Sequence, residues 1–60
     1  MNTVTPTETD EGYWSLLEIE PDGTFSLRAV KTADQFGYVS RWRTREQAKR
    51  AAVAAGLTVN

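Results

Sequence analysis

The sequence contains no cysteine and no histidine. The first absence excludes disulfides, thiolate zinc sites and thiol nucleophiles. The second removes the side chain that most often moves protons near neutral pH, and the commonest metal ligand. Basic residues are missing from the whole of 1–27, which holds Glu8, Asp10, Glu11, Glu18, Glu20 and Asp22 and so carries −6. No apolar run approaches the ~18–20 residues that a membrane helix needs. The first ten residues have neither the basic nor the apolar stretch of a secretory signal. Gly12, Gly23, Gly37 and Gly56 stand alone, so there is no glycine-rich phosphate loop. These absences predict a non-catalytic, cytoplasmic protein with no cofactor, no metal, no small-molecule substrate and no membrane association.

What is present is 60 residues, enough for one domain. A chain this short buries only about 60% of its unfolded surface, so its core must be small. The net charge of −1 conceals a division. Residues 28–60 set Arg28, Lys31, Arg41, Arg43, Arg45, Lys49 and Arg50 against Asp34 and Glu46, giving +5. Asymmetry of this kind points to an acidic tail or a basic binding surface.

Residues 1–11 are rich in Thr, Glu and Asp, with Pro6 and few apolar side chains. That composition predicts a disordered acidic tail. A single βββα domain is expected over 12–60. Its first strand spans 12–20 and its second 24–31, joined by Pro21, Asp22 and Gly23, a turn-forming triplet. Placing Glu20 opposite Thr24 sets Ile19 against Phe25 and Leu17 against Leu27. One side of the sheet then holds Tyr13, Leu17, Ile19, Phe25, Leu27 and Ala29, and this is the expected core face. The other side holds Trp14, Leu16, Glu18, Ser26, Arg28 and Val30.

A loop over 32–36 leads to a third strand over 37–43. Burying two unpaired arginines is costly, so Arg41 and Arg43 are expected outward, and Tyr38 and Trp42 inward. The helix is expected over 45–55. Thr44 is its N-cap and Gln47 completes a capping box. Ala48, Ala51, Ala52 and Ala55 form a small-residue face, and Gly56 with Leu57 ends the helix. The expected fold is α+β: a three-stranded antiparallel sheet with one C-terminal helix packed on one face.

A single helix covers one sheet face. The uncovered face is expected to show Trp14, Leu16 and Val30 beside Arg28, Arg41 and Arg43, a composition favoured at interaction sites. Arg45, Lys49 and Arg50 would add longer-range attraction from the helix. Glu18, Glu20 and Asp22 alternate at a strand end and read as solvent-facing charge. The partner-binding set is therefore Trp14, Arg28, Arg41, Arg43, Arg45, Lys49 and Arg50.

The strand–strand–strand–helix order, ending in WRTREQAKRAAVAA, resembles small three-stranded-sheet DNA-binding domains. These include the plant AP2 type, the arm-binding domains of tyrosine recombinases, and similar small bacterial or phage modules. Trp42, Thr44, Glu46, Ala48, Ala51 and Ala52 carry the resemblance. It implies a sheet inserted in the major groove, with Trp14, Arg28, Arg41 and Arg43 facing the bases.

Two readings follow. A two-signed surface and an exposed tryptophan favour a regulatory module that docks a protein, or a second copy of itself, through the open sheet face. The arginines and the resemblance favour duplex DNA. A third arrangement, the acidic tail folded over the basic surface as a nucleic-acid decoy, combines the two.

Overall fold

The computed structural model describes residues 3–32 and 37–60. The signals that act over a few residues produce the expected local structure. In the turn after β2 (Trp14–Ile19), Gly23 takes φ +90°. The Asp22 carboxylate accepts from the Thr24 N–H at 3.0 Å and its hydroxyl at 2.7 Å. β3 (Phe25–Leu27) returns antiparallel, with Ile19 opposite Phe25 and Leu17 opposite Leu27, as the turn dictates. The helix α1 (Arg45–Ala54) begins at Thr44, whose hydroxyl accepts from the Gln47 N–H at 3.1 Å. The Gln47 side chain reaches back to the N–H of Arg43 at 3.1 Å, one residue beyond the cap. At the other end Gly56 has φ +80°, with Leu57 N–H bonded to Ala52 C=O and Gly56 N–H to Val53 C=O. That pair of bonds is a Schellman motif, which only a left-handed residue at Gly56 permits.

The fold is α+β, but its sheet is four-stranded and mixed rather than three-stranded and antiparallel. Its order is β3-β2-β1-β6. β1 (Thr3–Glu8) lies antiparallel to β2, where composition predicted part of a disordered tail over 1–11. Thr3, Val4, Thr5 and Thr7 are β-branched and suit a pleated surface. Pro6 is tolerated inside the sheet because alternate residues of β1 aim their backbone groups away from β2. The Asn60 N–H donating to Val4 C=O at 2.8 Å shows that direction. The missing N–H of Pro6 therefore costs the β1–β2 ladder nothing. β6 (Thr58–Val59) follows the helix and pairs parallel to β1, a strand that the sequence pattern did not reveal.

The expected second strand over 24–31 and third over 37–43 are both divided. β4 (Val30–Lys31), the end of the second, and β5 (Tyr38–Val39), the start of the third, form a separate small hairpin. The chain then returns to the main sheet at Trp42, whose N–H and C=O exchange bonds with Trp14 at 2.8 and 2.7 Å. The loop expected over 32–36 falls, from 33 onward, outside the described residues.

The covered sheet face is the opposite of the one expected. Val4, Leu16, Val30, Ala48 and Ala52 are the buried core, with Trp14, Trp42, Ala51, Leu57 and Val59 packed against it. Apolar character on both faces of the β2–β3 hairpin left the choice to β1. That strand sets Val4 and Pro6 on the Leu16 side and its threonines on the other. The alanine face of α1 lies against Leu16 and Val4, so little volume is needed to fill the layer. Among the described residues no helix is long and apolar enough to cross a membrane.

Candidate functional site

With α1 on the Leu16 side, the open face consists of the odd-numbered residues of β2 and their neighbours. Leu17 and Leu27 form one cross-strand pair, and Ile19 and Phe25 the next. Ile19, Phe25 and Leu27 are 62%, 66% and 63% exposed. Thr5 continues the Leu17 row onto β1. Successive odd positions along a strand share one face, so Leu17, Ile19, Phe25 and Leu27 make one apolar surface, which the buried Ser15 separates from Tyr13 just before β2. The largest fully buried side chains are only Leu16 and Val4. Ile19, Phe25 and Leu27 are thus large apolar side chains that the fold leaves outside its core.

The seven residues expected to bind a partner do not form one surface. Trp14 is half-buried and packs on the core beside Trp42, so neither tryptophan is the exposed anchor. This corrects the expected contrast of a buried Trp42 and an open Trp14. Tyr38, expected inward, is exposed. Arg28 lies on the margin of the covered face, where Nη1 is 3.3 Å from Glu18 Oε1. Arg41 and Arg43 are exposed, as the cost of burying them requires. Arg41 is 3.5 Å from Glu11 Oε2, and its guanidinium carbon stands 5.1 Å from the centre of the Tyr13 ring. That contact puts one cation at the edge of the apolar patch. Arg43, Arg45, Lys49 and Arg50 are exposed around the first half of α1, and none has an ion-pair partner among the described residues.

The open face was missed because Leu17, Ile19, Phe25 and Leu27 looked like core. The signal that could have found it is the alternation in TVTPTE, which offers a third strand one apolar edge and one threonine edge.

The acidic hairpin turns border the patch at both ends. Glu8, Asp10 and Glu11 lie at the β1–β2 turn and Asp22 at the β2–β3 turn. The Thr24 hydroxyl, and then its N–H, hold the Asp22 carboxyl below its ordinary range. A separate cleft of about 240 Å³ lies between the β4–β5 hairpin and the end of α1, lined chiefly by Val30, Val39, Trp42, Ala51, Ala54 and Ala55. No family model, curated protein or solved structure matches this chain.

Proposed function

We propose that this protein is a non-catalytic binding module that docks a protein partner through the open face of its sheet. The observation behind the reading is the contiguous exposure of Ile19, Phe25 and Leu27 on one side of a register-fixed hairpin. Small monomers rarely expose a continuous apolar patch unless it is an interaction site. Aromatic and aliphatic side chains ringed by charge are also the usual anatomy of such a site. The anchors are Ile19, Phe25 and Leu27 rather than Trp14, and Arg41 with Tyr13 forms part of the rim. The acidic turns favour a partner whose apolar patch is bordered by Lys or Arg.

The test is photo-crosslinking in cells or extract of the source organism, with the crosslinking amino acid at Leu27 or at Lys49. Protein adducts from Leu27, lost when Ile19 and Phe25 are changed to Thr, are expected. Adducts from Lys49 alone would overturn the reading.

A second reading has one specific observation in its favour. Arg43, Arg45, Lys49 and Arg50 have no acidic partner in the described structure, and cations in the first helical turns gain nothing from the helix dipole. Duplex DNA would supply the anions, now through the helix rather than the sheet. Binding that weakens steeply between low and moderate salt, and fails on charge reversal at Lys49 and Arg50, selects it.

A further inference from the structure

β3 is the end strand of the main sheet. The Glu20 N–H bonds to Thr24 C=O at 2.7 Å, and the Arg28 N–H to Leu16 C=O at 2.8 Å. Antiparallel ladders alternate, so Ser26 also faces β2, while Phe25 and Leu27 aim their N–H and C=O groups out of the sheet. Natural edges are blunted with charge, proline or a bulge. The stretch Phe25-Ser26-Leu27 has none of these; shortness is its one safeguard.

We propose that this edge pairs with the same edge of a second copy of the chain, antiparallel, about a two-fold axis passing beside Ser26. In that register Phe25 exchanges both backbone bonds with Leu27 of the second copy, and Leu27 with its Phe25. Four orphan donors and four orphan acceptors are satisfied at once. The apolar pairs then join into rows. Ile19 and Phe25 of one copy continue into Leu27 and Leu17 of the other, and the reverse row runs beside it.

Charge selects a second copy over an unrelated strand. Opposite Arg28 stands Thr24 of the second copy, whose cross-hairpin neighbour is Glu20 and whose N–H and hydroxyl hold the Asp22 carboxylate. Each Arg28, which also holds Glu18 of its own chain, is thereby set against the acidic hairpin end of the other chain, twice by symmetry. Stacking two open faces would cover the apolar patch as well. It would, however, bring acidic turns against acidic turns at both ends and leave the Phe25 and Leu27 amides unpaired. The inference goes beyond the proposed docking function, because the edge and the face are different surfaces. Pairing leaves the face open and doubles it.

A three-residue edge buries far less than the roughly 1,200–2,000 Å² of a stable interface, so the dimer is weak and concentration-dependent. The cysteine-free chain gives a direct test. Opposed residues of a non-hydrogen-bonded antiparallel pair have Cα atoms about 4.5 Å apart, within the range of about 4.4–6.8 Å that a disulfide spans. Under mild oxidation Ser26→Cys should form covalent dimer at least about tenfold faster than Ser40→Cys, because pairing raises the effective thiol concentration. Leu17→Cys, on the open face, should behave like the Ser40 control. A chain synthesised with N-methyl-Leu27 loses the outward donor but no bond to β2. It should sediment as monomer at concentrations where the unmodified chain dimerises, with an unchanged circular-dichroism spectrum. The inference is overturned if the unmodified chain stays monomeric at millimolar concentration, if Ser26→Cys is no faster than the control, or if Leu17→Cys is the fast one. Loss of partner crosslinking from Leu27 in a chain that still dimerises would count against the docking function alone.

Discussion

Leu16→Ala and Leu27→Ala delete the same atoms from opposite faces of one hairpin, and they separate the two possible orientations of the sheet. Leu16 is 0% exposed and sits between Val4 and the alanine face of α1. Truncating so enclosed a leucine costs about 2–5 kcal/mol, transfer and cavity together. Leu27 keeps 63% of its surface in water. Only about a third of a full burial worth roughly 1.5–3 kcal/mol is at stake there, so about 0.5–1 kcal/mol. A domain of this length holds about 3–9 kcal/mol in total. Leu16→Ala therefore removes about a fifth of the stability at the least and can remove all of it, while Leu27→Ala leaves the domain folded. Urea unfolding at low protein concentration, followed by the fluorescence of Trp14 and Trp42, measures both. With an m-value of about 1 kcal/mol/M for so small a protein, the midpoint falls by at least about 2 M for Leu16→Ala and by about 1 M or less for Leu27→Ala. Equal shifts, or a larger one for Leu27, would mean that α1 covers the other face and that the open-face site does not exist.

Thr44→Ala leaves the Gln47 N–H without its acceptor and should cost about 1 kcal/mol by thermal melting; Thr44→Ser should restore most of it, and no difference between the two would show that the cap is not formed. Asp22 should titrate below its ordinary 3.8 when followed by carbon NMR, because Thr24 donates to the ionised form. A carboxyl whose folded pKa is lowered contributes stability above its unfolded value and loses it as pH falls through the folded one. Thr24→Val should return Asp22 towards 3.8 and remove that small acid sensitivity; titration unchanged by the substitution would refute the turn geometry.

The parts of the fold that the sequence made legible are those whose partners lie within a few positions. The Pro21-Asp22-Gly23 turn fixes the pairing of Ile19 with Phe25, and Thr44, Gln47 and Gly56 bound the helix. The choice of sheet face is not local. Leu16 and Leu17 are equally apolar, and the decision rests with Val4 and Pro6, in a segment that composition alone reads as a tail. The site followed the same error. Arg41 and Arg43 go to solvent whichever face is covered, because burying them unpaired is costly. Trp14, Ile19 and Phe25 changed places when the face did. β4 and β5 lie within the strands expected over 24–31 and 37–43; that they leave the main sheet as their own hairpin is not legible, because two-residue strands carry no periodicity.

The pairing of β1 with β6 ties Asn60 to Thr5 across 55 positions. The β2–β3 hairpin and α1 need only neighbours and can form early. β6 can dock only after the intervening chain is in place, and the entropy of closing so long a loop is met last. Once formed, it is a clasp of two residues, the shortest kind of element and the first to open. Its release uncovers the second border of the sheet along β1, where the Val4 carbonyl loses the Asn60 amide. Amide exchange should accordingly be fast at Asn60 and slow at Leu17, in the β1–β2 ladder at the centre of the sheet.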